Sequence, residues 1–165
     1  LFWLFRKLSG KIHARHINSE ICVLGMETLI YLDTNIYIDH FEGRTDYLRP
    51  LGEFAFQLLK KAFDCKFNIV LSSLVVDELE HNSYSQNIVE LKNVLKEGGN
   101  GIFIVETADD EQEARQIMKV HKTSFNDTKH AVLARRAGAA YLVTRNMDDF
   151  ACLQDIIKVV LPEQL

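Results

Sequence analysis

Long apolar runs are missing from this 165-residue chain, and with them any stretch able to cross a bilayer as a helix. The opening Leu1-Phe-Trp-Leu-Phe5 is far too short, and basic residues follow it where a signal peptide would place them first. Proline is scarce, with two residues, and glycine modest, with eight, which leaves little room for a flexible linker and points to one domain. Cysteine is sparse and odd in number. Cys22, Cys65 and Cys152 lie far apart, form no C-x-x-C pair, and suit neither a disulfide framework nor a zinc site. Each sits among apolar neighbours, so all three are expected to be small buried hydrophobes in a reducing, cytoplasmic compartment, with no membrane involved. A surplus of basic charge is absent as well. Nineteen Lys and Arg against 23 Asp and Glu give −4, which argues weakly against a non-specific binder of nucleic acid. It does not exclude an enzyme acting on nucleic acid, because acids that hold a cation add negative charge that the cation offsets.

What is present is an alternation of apolar runs and helical patterns. The runs are Thr28–Leu32, Phe67–Leu71, Gly101–Val105, Ala140–Val143 and Ile156–Val160, each short and rich in strand formers. Their continuous apolar character suits strands buried on both faces, as in a parallel sheet. Helical patterns fall at Leu51–Phe63, Ser73–His81, Asn87–Lys96, Asp109–His121 and Asp127–Ala137, and another helix begins just after Asp33. Aspartates open the last two patterns as expected N-caps, and Gly138 closes the final one. The alternation predicts an α/β sandwich around a mainly parallel sheet. Met26 stands directly before the first strand, so residues 1–25 are set apart as an extension and 26–165 form the domain.

In such sheets ligands bind beyond the carboxyl ends of the strands, and there the chain places acids. Asp33, in Asp33-Thr34-Asn35, follows the first strand; Glu78 lies on the helix after the second; Asp127 stands at a helix start. After the fourth strand, in Thr144-Arg-Asn-Met-Asp-Asp-Phe150, Asn146, Asp148 and Asp149 compete for a fourth place. Singly, each reads as well as a turn residue, a helix cap or a solvated helix face. Together they would put several carboxylates at one end of the sheet, where they repel one another unless a cation sits among them. Oxygen ligands of this kind are those that Mg²⁺ and Mn²⁺ prefer.

Three blocks in order carry a family resemblance. Tyr31-Leu-Asp-Thr-Asn-Ile36, then Ser72-Ser-Leu-Val-Val-Asp-Glu-Leu79, then Asp127-Thr-Lys-His-Ala131 with Gly138–Asn146 and Asp149-Phe150, resemble the signatures of PIN-domain ribonucleases, including VapC-type toxins. The resemblance implies a Rossmann-like three-layer sandwich and Mg²⁺- or Mn²⁺-dependent hydrolysis of RNA. It assigns Asp33, Glu78 and Asp127 as metal-site acids, with Asn35 and Thr144 as polar supports of the pocket. The fourth acid often follows the Thr-Arg pair directly, where this chain has Asn146; Asn146 can offer a carbonyl, and Asp149, which precedes Phe150, is taken as the fourth acid over Asp148. The resemblance also implies a small antitoxin partner and a homodimer.

The expected chemistry is metal-activated attack of water on a phosphodiester, leaving a 5′-phosphate. Arg145, beside the pocket, is the first candidate for a contact with RNA phosphate, ahead of Lys129, Arg135 and Arg136. His130 falls three residues after Asp127 and is read as a helix-packed or surface histidine, since no second histidine stands beside it for acid–base cleavage. The alternative function is a degenerate PIN domain that binds RNA or protein without cutting.

Overall fold

The apolar run Thr28–Leu32 forms the first strand, β1, and becomes the middle of the sheet. The computed structural model describes residues 28–64 and 66–165, so the boundary expected at Met26, and Cys22 and Cys65, lie outside the described residues. The other strands are β2 (Phe67–Ser72), β3 (Gly101–Ile104), β4 (Tyr141–Val143) and β5 (Val159–Val160). Their order is β3-β2-β1-β4-β5, with every pairing parallel. Position explains composition: β1 has neighbours on both edges, and Ile30, Tyr31 and Leu32 are fully buried.

Parallel strands need long crossovers, and six helices supply them. They are α1 (Thr34–Glu42), α2 (Leu51–Phe63), α3 (Ser73–His81), α4 (Ser85–Gly98), α5 (Ala108–His121) and α6 (Phe125–Arg136). The expected α/β architecture is thus present. Between α1 and α2 the backbone turns tightly. A Cβ on Gly52 would lie 2.6 Å from the Gly43 Cα and 2.7 Å from the Asp39 carbonyl, so only glycine admits this approach.

Three local expectations are corrected. The caps of α5 and α6 are Thr107 and Ser124, not Asp109 and Asp127. Each hydroxyl sits on an extended residue just before the first turn and accepts the amide three residues on, from Asp110 and Asp127 respectively. The last strand shrinks to Val159–Val160, because the amides of Ile156 and Ile157 both donate to the Leu153 carbonyl and prolong a turn. Cys152 is exposed: in the short 3₁₀ turn Ala151–Leu153 it is Leu153 that faces the core.

The chain steps from β1 through β2 to β3 in one direction, then returns to β4 on the other side of β1. That reversal opens a crevice beyond the carboxyl ends of β1 and β4. The Asp33 amide donates to the Val143 carbonyl across this junction at 2.9 Å. The acids after β1 meet the polar residues after β4 there.

Candidate metal centre

Asp33 leaves β1 in extended conformation and, although it precedes α1, its side chain does not cap that helix. Its Oδ2 accepts hydrogen bonds from Asn35 Nδ2 at 2.7 Å and from Thr144 Oγ1 at 2.6 Å. Asn35 also donates to Thr144 Oγ1 at 3.0 Å, and its own carbonyl oxygen accepts the Arg145 amide. Asp33 and Thr144 are both buried. Two neutral donors on one oxygen leave Oδ1 turned toward the crevice.

Glu78 reaches the same place from α3. Ser72 caps that helix by accepting the Val75 amide, and Glu78 lies in its second turn. Thr34 Oγ1 donates to Glu78 Oε2, His130 Nε2 lies 3.1 Å from the same oxygen, and Asn126 Nδ2 donates to Oε1 at 3.2 Å. Burial pushes the Glu78 carboxyl up, but the His130 hydrogen bond and charge, the Thr34 hydroxyl and the Lys129 charge outweigh it and hold it below the usual range.

His130 is the residue that sequence reasoning left outside the site. It is 2 % exposed, and its Nε2 lies 3.7 Å from Asp33 Oδ1 as well as beside Glu78. Its Nδ1 shares a 2.9 Å hydrogen bond with the Tyr31 hydroxyl, which in turn shares a 2.7 Å bond with Ser72 Oγ. Burial pushes the imidazole down, yet the Glu78 hydrogen bond and the charges of Asp33, Glu78 and Asp127 raise it above the ordinary value. One ligand atom from each of Asp33, Glu78 and His130 falls within 4.8 Å of the others. A faint signal existed in the sequence: His130 follows Asp127 by one helical turn, which places both on one face.

Asp127 stands close by in charge but not in that tight group. Its Oδ2 accepts the Ser124 hydroxyl while its amide donates back to Ser124 Oγ, so the side chain completes the helix start. Burial raises its pKa, and the charges of Asp149 and Asp33 add to this against Ser124 and His130. Asp148, Asp149 and Asn146 are exposed on the turn after β4. The Asn146 amide donates to Thr144 Oγ1, and the Asp149 amide donates to the Asn146 carbonyl, which closes that turn.

A family model, "PIN domain", matches residues 30–154, most of the chain and every group named above. The chain belongs to the PIN-domain family. Solved structures agree on the fold of this PIN domain. A toxin–antitoxin complex from Klebsiella pneumoniae matches with TM-score 0.57 and 23% identity, over 81% of this chain and 97% of that one. VapBC2 from Rickettsia felis, bound to a DNA fragment from its promoter, matches with TM-score 0.59 and 20% identity, over 81% and 98%. FitAcB from Neisseria gonorrhoeae matches with TM-score 0.56 and 19% identity, over 82% and 99%. A comparison of the sequence with curated proteins finds no match.

Arg145, expected to contact phosphate, also has a structural role in the PIN domain. Arg145 points inward: Nε donates to Asp39 at 3.0 Å, one terminal nitrogen donates to Glu163, and the other donates to the Leu51 carbonyl at 3.2 Å. Its guanidinium also lies 5.6 Å from the centre of the Phe54 ring. With these three partners it ties the loop after β4 to α1, α2 and the C-terminal turn. Lys129, Arg135 and Arg136 are likewise paired, with Glu106, Glu113 and Asp110. No helix among the described residues is long and apolar enough to cross a membrane.

Proposed function

We propose that this chain is a divalent-metal-dependent ribonuclease whose metal site is built on Asp33 and Glu78, with Asp127 and Asp149 completing the acidic surround. The observation that carries the reading is the meeting of Asp33 and Glu78, from different crossovers, in one crevice at the switch point of the sheet. The donor set fits the group the family implies: hard carboxylate oxygens, held by fixed neutral donors, around a space whose charge calls for a cation. Mg²⁺ or Mn²⁺ bound there would lower the pKa of a water ligand and brace the phosphate oxygens for in-line attack.

The chain's own residues prepare this. Asn35 and Thr144 bind one oxygen of Asp33, so the other keeps a fixed direction. Thr34 and Asn126 orient Glu78 from its two sides, and its depressed pKa keeps it ionised and acceptor-only near neutrality. In this reading Asn146, exposed on the turn after β4, offers a side-chain carbonyl as a further oxygen donor.

The reading includes a toxin's role and a small antitoxin partner, supported by solved neighbours that are toxin–antitoxin complexes. A cytoplasmic location and a homodimer belong to the same reading. The test is end-group analysis of RNA incubated with the protein and Mn²⁺ or Mg²⁺, against chelator and against Asp33→Asn. Metal-dependent 5′-phosphate ends that the substitution removes are expected. Cleavage indifferent to chelator, or 2′,3′-cyclic phosphate ends, would overturn it. RNA binding with no cleavage of any RNA would favour the degenerate binding module.

A further inference from the structure

We infer that His130 is itself a ligand of this metal, through Nε2, and that the site therefore favours a first-row transition-metal ion such as Mn²⁺ over Mg²⁺; the inference rests on the metal-dependent reading above. Three observations converge on it. The first is spacing. Nε2 lies 3.1 Å from Glu78 Oε2 and 3.7 Å from Asp33 Oδ1. Around an octahedral ion with ligand distances of about 2.1 Å, adjacent ligand atoms lie about 3 Å apart and opposite ones about 4.2 Å. Both distances to Nε2 fall between these two values, and the three residues each offer a ligand atom within 4.8 Å of the others.

The second is orientation. His130 is held edge-on against Tyr31, with ring centres 5.7 Å apart and an interplanar angle of 68°. Nδ1 is bound by the Tyr31 hydroxyl, and Tyr31 by Ser72 Oγ. Ser72 Oγ also accepts the fixed Val75 amide. When Nδ1–H donates to Tyr31 and Tyr31 donates to Ser72, Nε2 keeps its lone pair for the ion. Ligating histidines are commonly held in this way, the second nitrogen bound to a partner that sets tautomer and ring direction. Among the described residues, Nε2 faces only the two carboxylates.

The third is donor chemistry. Water and carboxylate oxygens alone satisfy Mg²⁺, whereas an imidazole nitrogen in the set shifts preference toward transition-metal ions. Asp33 and Glu78 without His130 would show a smaller bias.

The experiment uses the full chain and Mn²⁺ itself. Paramagnetic titration measures Mn²⁺ binding and its competition by Mg²⁺, and pulsed electron spin resonance reads nitrogen hyperfine coupling on the bound ion. Expected are imidazole nitrogen coupling and Mg²⁺ competing only at about tenfold or higher excess. His130→Gln should lose the coupling and narrow the preference. Tyr31→Phe, which deletes only the hydroxyl holding Nδ1, should weaken Mn²⁺ binding at least about tenfold. Bound Mn²⁺ without nitrogen coupling in the unaltered protein overturns the inference and leaves the metal-dependent reading standing. No Mn²⁺ binding to that protein overturns both. Because a substitution at a buried position can unfold the chain, the signal of the unaltered protein decides by itself.

Discussion

Thr144 donates a 2.6 Å hydrogen bond to Asp33 Oδ2 across the junction of β4 and β1, joining residues 111 positions apart. The bond occupies one carboxylate oxygen and so decides which oxygen faces Glu78 and His130. Thr144→Val keeps the shape and deletes the donor. Mn²⁺ affinity is expected to fall about 10- to 100-fold, the usual cost of losing a group that orients a ligand, and Thr144→Ser should restore it. Titration of the three proteins checks this; equal affinity in the Val variant would show that Asn35 alone suffices.

Arg145 and Asp39 form a buried pair, with side chains 11 % and 3 % exposed. Removing the cation strands the Asp39 carboxylate, whose pKa burial already raises against the opposing hydrogen bond and charge of Arg145. Arg145→Ala is expected to destabilise the fold by about 3 kcal/mol, measured by urea unfolding. RNA affinity of the folded variant should change little. A variant of unaltered stability and much weaker RNA binding would return Arg145 to the phosphate contact first expected of it.

Glu163 accepts from both Arg145 and Arg49. Burial pushes its carboxyl up, but its own backbone amide and the two arginines outweigh this and hold it below the ordinary 4.5. A depressed folded pKa contributes stability that is present above pH 4.5 and lost as pH falls through the folded value. Glu163→Gln should therefore flatten the acid limb of the stability curve below pH 4.5. Denaturation at stepped pH reads the difference, and superimposable curves would refute the linkage.

Ser124 caps α6 and also donates to Asp127. Ser124→Ala should cost about 1 kcal/mol of stability, with Thr at this position recovering most of it. Metal binding at Asp33 and Glu78 should persist, because neither depends on that hydroxyl. Loss of Mn²⁺ binding in the folded variant would mean that Asp127 must be held by Ser124 to serve the site.

Much of the fold was legible because periodicity and position report the same physics. Strands buried on both faces must be apolar throughout, so Thr28–Leu32 and Phe67–Leu71 stood out, while β5 was overestimated because isoleucines such as Ile157 can be buried in a turn as well as in a strand. Asp33 and Glu78 were legible as candidates from their place after strands. Helix caps were misread for a local reason: Asp127 and Ser124 are both good caps, and only the backbone conformation shows which residue is extended.

By itself the sequence determined the alternation of strand and helix, the family and the acids that stand near the strand ends. These follow from burial along the chain, which each segment records in its own composition. Tertiary structure alone decided that His130 joins Asp33 and Glu78, that Arg145 turns inward to Asp39, and that Cys152 faces solvent. The physical reason is common to all three. A polar side chain takes its role from the charge or surface across from it, and those neighbours come from strands and helices as far as 106 residues away, brought close only when the sheet reverses direction at β1 and β4.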